Sequence, residues 1–574
     1  MPSQDPSLGS VRLLVRLPAG STRKAESEQL LRQAVRRRLG PADIAGQAWA
    51  LERLFGNSGP DELKRWWVVA GAIPSVPAYD VSRVGYDLAN ALSRERGFEV
   101  EPDLPSTAFG LDPGAATTGR LRSADEAEAE AEAEAEERQP LPCSRSKTWA
   151  LDAVRAREAW DLALPQGGRS RGAGIRIGHI DTGYSDHPEL ERTALDLGSD
   201  RDIIDNDDDA RDPLRRAFFA VLDNPGHGTL TGSVIAGRER GTIRGSAPLA
   251  TLVPIRAIKS VVQVLDGDVA RAVNVARDRD CHVISMSLGG RGFIGLQQAI
   301  RAAVADGMIV MAAAGNKVTF VVAPASYPEC LAVAATNCAS LPWHDSSRGE
   351  SVDISAPGES VWAAVVNVKT TPPGFVTGRA DGTSLSVATL AGVAALWLAH
   401  HTPERIRQRY GKAKVQAAFL SLLRSHGRRV PADWVSSGWH RKFGVGIVDA
   451  VALLQAGLPD LPEVLAPESL SETAEQAVPR LQGALGELTR AQVRRVVGQV
   501  LGIAASRVDA LPATVVSELV YRLGEDDQFR EALLAQAQLS GPEALPGPEA
   551  VPAMSARTLL ARTSSLAFQD ALTR

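Results

Sequence analysis

Ile175-Arg176-Ile177-Gly178-His179-Ile180-Asp181-Thr182-Gly183 is an apolar run that stops at a carboxylate, a hydroxyl and a glycine. Short apolar runs of this kind read as strands buried on both faces of a parallel sheet. Residues 252–257, 283–288 and 308–313 repeat the pattern, and helical stretches separate them. From about residue 149 to residue 457 the alternation predicts an open parallel α/β sheet with helices on both faces. Open sheets of this class gather functional groups at the carboxyl ends of their strands, which is where Asp181 falls.

Upstream the pattern changes to strand, helix, strand, strand, helix, strand. Residues 11–17, 49–55, 65–70 and 98–100 read as extended, and residues 27–38 and 81–96 as helical, with Val84, Leu88 and Leu92 on one face. That order predicts an α+β, ferredoxin-like domain over residues 1–110. Residues 125–137 alternate Glu and Ala with eight acids and no positive charge. They form either a self-repelling linker or a short acidic helix, within a low-complexity connector at 111–147. The sheet domain then occupies 148–458. Beyond it, Thr489 is placed to cap a helix carrying Val493, Val496, Val497, Val500 and Leu501 on one side, and further helices are expected near 513–523 and 526–537. Residues 459–574 therefore read as a small helical module whose Pro- and Gly-rich end, from residue 540, is expected to be mobile.

At 574 residues, 44% hydrophobic and 23% charged, the chain has the size and composition of a soluble protein of several domains. A net charge of -5 argues against a general nucleic-acid binder. The apolar stretch at 11–17 is too short for a signal-peptide core, and no run of about 18 apolar residues suggests a spanning helix. The expectation is therefore a cytoplasmic protein with no membrane partner. Cys143, Cys281, Cys330 and Cys338 have neither the density of a disulfide scaffold nor zinc-site spacing, and read as free thiols.

Three motifs carry the chemistry. Asp181-Thr182-Gly183 ends a strand, Gly226-His227-Gly228-Thr229 opens a segment of small residues, and Gly382-Thr383-Ser384 precedes a helical run over 385–399. Alone, each has a bland alternative: a polar strand end, an exposed turn, a helix cap. Together, in the order Asp, His, Ser, they match one of the few triad orders that serine hydrolases use. At these residues the chain resembles the subtilisin family, peptidase S8, over about 149–454. Ser285-Met286-Ser287-Leu288-Gly289-Gly290, Ala313-Ala314-Gly315-Asn316, residues 324–328, Ser355-Ala356-Pro357-Gly358 and residues 443–450 fit the same pattern.

The resemblance implies a serine endopeptidase acting on protein or peptide substrates. Ser384 would be the nucleophile, His227 the general base, Asp181 its orienting partner and Asn316 an oxyanion donor. Ser287, Leu288, Gly289 and Gly290 would pair with an extended substrate, and Ala313 and Gly315 would wall a primary pocket with room for a large side chain. It also points to the N-terminal domain as a prodomain whose end, at 98–105, leads toward the substrate groove, the alternative being a folded appendage that never blocks the site. Ser386 and Ala388 depart from the family's usual Ala and Pro after the nucleophile, a change expected to touch the helix start more than the chemistry.

No cofactor is required. His179 and His187 flank Asp181 but read as a strand residue and a turn rather than metal ligands. The acidic stretch 202–212 could offer carboxylates to calcium but lacks the glycine spacing of a known loop, and reads as solvated. The C-terminal helices are either an adaptor for a protein partner or a structural cap. The rival from another class is a catalytically silent, peptide-binding scaffold.

Overall fold

The computed structural model describes residues 8–40, 48–107, 141–214, 224–460 and 477–539, apart from a few short gaps within them, together with residues 556, 557, 560, 564, 565 and 568. The acidic stretch 125–137 lies outside the described residues, as does most of the segment after residue 540.

A nine-stranded sheet organises the chain. Its order is Arg428–Arg429, Ile447–Val448, Ile354–Pro357, Leu331–Thr336, Ile309–Ala313, Val283–Met286, Arg176–Asp181, Thr251–Arg256 and Arg201–Asp202. All pairings are parallel except that between Arg428–Arg429 and Ile447–Val448. Side chains alternate across it with the period-2 geometry of a strand. Ile177, Met311 and Val333 enter one core with the helix Thr383–His401. Ile180, Val310, Ala312 and Ala334 enter a second core with the helices Asp266–Asp278 and Ile294–Ala305. Both faces are covered, which is why strands such as Leu331–Thr336 carry no polar face. The helix Thr383–His401 is long and apolar enough to cross a membrane, but it is wholly buried in the first core.

The N-terminal part is a separate four-stranded antiparallel sheet, ordered Ala50–Arg53, Trp66–Pro74, Leu8–Arg16, Glu99–Pro102. Val11, Leu13, Val15, Trp67 and Val69 form its own core, while Leu14, Trp66 and Val68 on the opposite face join the second core of the large sheet. Trp66 stands edge-on to Phe293 and donates from Nε1 to Gln298 at 2.9 Å. The C-terminal helices Ala477–Leu485, Arg490–Leu501, Ala513–Glu525 and Asp527–Leu539 form a third body. Thr489 and Gln492 cap the second of these helices reciprocally. The core of this body includes Phe320 and Val322, so it packs onto the segment that follows Asn316.

The expectation of four free thiols is corrected. Cys143 and Cys338 form a disulfide, with Cα atoms 5.8 Å apart across a separation of 195 residues, whereas Cys281 and Cys330 are free and buried. Nothing local announces the bridge, because the strand Leu331–Thr336 carries Cys338 to the turn at Pro142–Arg145 only once the sheet is built.

In the acidic stretch 202–212, Asp205, Asp207, Asp208 and Asp209 are exposed as expected, and only the two end carboxylates are not. Asp202 and Asp212 are buried, Asp202 pairs with the buried Arg256, and Asp212 accepts from backbone N–H groups. Asp205 also reaches Arg256 at 2.6 Å, and Asp208 pairs with Arg201 at 3.0 Å.

Candidate active site

The register of the sheet brings the expected residues to one edge. Ile180 pairs with Met286, and Met286 with Ala312, so Asp181, Ser287 and Ala313 lie level at the carboxyl ends of adjacent strands. Asp181 is fully buried, and its Oδ1 accepts from His227 Nδ1 at 2.8 Å and from the Thr182 N–H at 2.7 Å. A neutral imidazole that donates from Nδ1 keeps a lone pair on Nε2. Burial by itself would raise the Asp181 carboxyl. The charge and hydrogen bond of His227, with help from His179 and the Thr182 N–H, overcome it and hold the carboxyl below its ordinary value.

His227 is the first residue of the helix His227–Ala236. That helix start touches the strand end through backbone: a Cβ on Gly228 would fall 2.0 Å from the Gly183 carbonyl oxygen, so only glycine lets the two approach. Asp212 seals the joint. Its Oδ2 accepts from the Gly226 N–H at 2.7 Å and from the Thr182 hydroxyl at 2.9 Å, and that hydroxyl accepts from the Gly228 N–H at 3.0 Å. Burial raises the Asp212 carboxyl, and these bonds oppose the rise.

Ser384 sits in the first turn of the helix Thr383–His401, and its carbonyl accepts from the Ser287 hydroxyl at 3.1 Å. Asn316 turns its Oδ1 toward the same helix end, accepting from Thr383 N at 2.9 Å and Thr383 Oγ1 at 2.8 Å. Its Nδ2 is thereby aimed away. Gly382 has φ +149°, and a methyl group built on it would lie 3.4 Å from Asn316 Nδ2 and 3.7 Å from Ser384 N. Two N–H donors thus border one point beside the Ser384 side chain, at the positive end of a helix. His227 Nε2 and the Ser384 hydroxyl are not hydrogen-bonded to each other. Such contacts are often loose until substrate closes them.

The substrate-side residues depart from expectation in two ways. The Gly289 N–H donates to Val261 O at 3.1 Å and the Gly290 N–H to Ala323 O at 2.7 Å, so both donors are already in use. The adjoining strand Gln263–Val264 instead pairs antiparallel with the chain's own Ser106–Thr107. The room expected beside Ala313 and Gly315 is taken by Val322. A Cβ on Gly289 would meet Val322 Cγ2 at 2.4 Å, and one on Gly315 would meet it at 3.2 Å. Leu288 is buried.

Sequence reasoning missed Thr231, Asp212 and Val322. Thr231 had a local signal, standing four residues after His227 and so one helical turn along the same face. Asp212 and Val322 had none.

A family model described as the Subtilase family matches residues 172–446. Thermitase of Thermoactinomyces vulgaris is 32% identical over 260 residues, covering 44% of this chain and 83% of thermitase. The major intracellular serine protease of Bacillus subtilis (strain 168) is 27% identical over 344 residues, covering 57% of this chain and 91% of that protein. With a parallel sheet that gathers an aspartate, a histidine and a serine at one edge, and relatives matched over most of their length, the chain belongs to the subtilase family and is a subtilisin-like serine endopeptidase.

Proposed function

We propose that Asp181, His227 and Ser384 are the triad of this endopeptidase and that it is made as a self-inhibited precursor. The observation that carries the first half is the 2.8 Å bond from His227 Nδ1 to the buried Asp181, which leaves Nε2 free to take a proton. In this reading His227 removes the Ser384 proton as the oxygen attacks a peptide carbonyl, and returns it to the leaving amine. Asp181 stays ionised and stabilises the imidazolium. Asn316 Nδ2 and the Ser384 N–H receive the tetrahedral oxyanion. The Val322 side chain between Gly289 and Gly315 favours small residues at the cleaved position.

The precursor reading rests on Ser106–Thr107. This segment leaves the N-terminal sheet and adds as a strand to Gln263–Val264, in the way an extended substrate would pair. Arg291 donates to the Leu104 carbonyl at 2.8 Å, and the Arg291 guanidinium lies 4.1 Å from the centre of the Tyr521 ring in the C-terminal helices. Arg480 from those helices pairs with the buried Glu101 at 2.9 Å. The tail of the N-terminal domain thus runs between the cleft rim and the C-terminal body.

A serine-directed fluorophosphonate tests both halves. Labelling that disappears in Ser384→Ala supports the triad, whereas no labelling of chain freed of residues 1–110 favours the silent scaffold. Equal labelling rates before and after removal of those residues would exclude self-inhibition. If wild-type and Ser384→Ala protein keep the same intact mass on long incubation, self-processing is excluded.

A partner for the C-terminal helices is a further proposal, tested by deleting 459–574 and comparing captured proteins. The Cys143–Cys338 bridge supports folding in an oxidising compartment, in competition with the cytoplasmic expectation. Counting alkylatable thiols in protein taken from its native compartment separates the two.

A further inference from the structure

Asp181 has two carboxylate oxygens, and the triad accounts for one. The other, Oδ2, faces the interior of a residue with no exposed surface, where a charged oxygen without a donor is costly. Thr231 supplies the donor: its Oγ1 lies 3.1 Å from Asp181 Oδ2. Behind Thr231 stands His179, 3% exposed, with Nε2 at 2.9 Å from the Thr231 oxygen and 3.8 Å from Asp181 Oδ2.

We propose that His179 and Thr231 are positioning residues, a donor chain that fixes the Asp181 carboxylate from behind. The inference rests on the triad reading above and adds to it two side chains that never touch substrate.

The direction of the chain follows from charge. The Thr231 hydroxyl has one proton and several acceptors within reach: Asp181 Oδ2, the His227 carbonyl at 3.1 Å and the Gly228 carbonyl at 3.4 Å. Left alone, a helical threonine commonly spends that proton on the carbonyl one turn back, here His227. Two features turn it toward Asp181. The carboxylate is charged, and a charged acceptor makes the stronger bond. His179 also sets the lone pairs: an unprotonated Nε2 would point its electrons at a carboxylate 3.8 Å away, so the N–H tautomer is favoured at that nitrogen. Donating from Nε2, His179 makes the Thr231 oxygen an acceptor on one side and leaves its proton for Asp181 on the other.

Neutrality of His179 matters as much as its place. Burial is the main cause that keeps its basicity below that of an ordinary histidine, against the pull of Asp181, and His227 adds to the lowering. A neutral donor steadies the carboxylate without bringing a second cation to compete with the His227 imidazolium that must form during the reaction. With Oδ1 tied to His227 and Thr182, and Oδ2 tied to Thr231, the carboxylate cannot rotate about its Cβ–Cγ bond without breaking a charged hydrogen bond in the dry interior.

The test is kinetic, on full-length protein processed to its active form, with turnover of an alanine-ending peptide p-nitroanilide expressed per fluorophosphonate-titrated Ser384. Thr231→Val keeps shape and removes the proton; kcat is expected to fall about 10-fold, the size of one hydrogen bond to a charged group, with KM unchanged. Thr231→Ser restores the donor and should recover most of the loss. His179→Phe should lower kcat less than Thr231→Val, and should cost nothing further in a Thr231→Val background, because it acts only through that hydroxyl. His179→Gln, which can present an N–H near Nε2, should lie close to wild type. A purely structural role would lower the titratable fraction or the melting midpoint and leave turnover per site alone. Unchanged kcat per site in Thr231→Val overturns the inference, as do independent, multiplying losses for His179→Phe and Thr231→Val. Wild-type Ser384 that takes no label overturns instead the triad reading beneath it.

Discussion

Two networks of buried charge are built into this chain on opposite plans. At the sheet edge, His179, Asp181, His227 and Thr231 fall within 52 residues of one another and are joined by bonds of 2.8–3.1 Å between a strand end and the first two turns of a helix. At the junction of the three bodies, Glu101 meets Arg480 across 379 residues, Arg12 reaches Asp103 at 3.1 Å and Asp268 at 2.8 Å, and Arg291 holds the Leu104 carbonyl. In the first network, on the proposed triad, the bonds hold the Asp181 carboxylate around one histidine that would exchange a proton. In the second, fixed cations face buried acids and the reward is cohesion between bodies. The same cost of burying charge therefore serves reaction in one place and assembly in the other. Changes in the first should cost turnover with little stability, and changes in the second the reverse.

The strongest test of that contrast is Ser384→Ala. Turnover should fall by about 10⁶-fold, a magnitude taken from subtilisin itself rather than derived from this geometry, while the melting midpoint moves by less than about 2 °C. A large loss of stability would break the comparison. Asn316→Ala comes next, with an expected loss of about 10²–10³ in kcat at unchanged KM, again the subtilisin magnitude. Because Asn316 also accepts from Thr383, its melting curve separates the proposed oxyanion role from a structural one.

On the other side of the comparison, Glu101→Gln keeps the shape facing Arg480 and removes the charge. It should weaken the docking of the N-terminal sheet by about 1.5–3 kcal/mol, read as a lower denaturant midpoint, with kcat per titrated site unchanged. A change in turnover per site would show that the junction reaches the chemistry.

The last test concerns Asp266, which is buried at the same junction. Burial, opposed by Arg291, pushes its carboxyl up to about 7. The folded chain then binds this proton more tightly than the unfolded chain. The stability it carries is complete below the ordinary value of 3.8 and is lost as pH rises through about 7. Asp266→Asn should therefore flatten the decline in melting midpoint between pH 5 and pH 8. Superimposable curves for the two proteins would show that Asp266 is not held protonated.

Much of this was readable along the chain, for physical reasons. The strand read at 283–288 is seen as Val283–Met286, and the helix expected after Thr489 is Arg490–Leu501 with its capping box formed. Both rest on local rules: apolar runs that need two covered faces, and a hydroxyl that satisfies an orphan N–H. The hairpin Val361–Asn367 with Gly374–Ala380 went unread, although it packs Val366 against the position before His227. The Gly289 N–H, read as open to substrate, is taken by Val261, because a donor's availability depends on which distant carbonyl arrives first.

Asp181, His227 and Ser384 could be named from sequence because their short glycine-flanked motifs stand in the order of a known triad, and Asn316 because the segment around it resembles the same family. The Cys143–Cys338 bridge, the Val322 side chain between Gly289 and Gly315, and the Arg480–Glu101 pair were decided only by the folded structure. Each needs segments far apart in sequence to pack within a few ångströms. No propensity, period or spacing along the chain encodes that meeting; it follows from how the bodies close on one another.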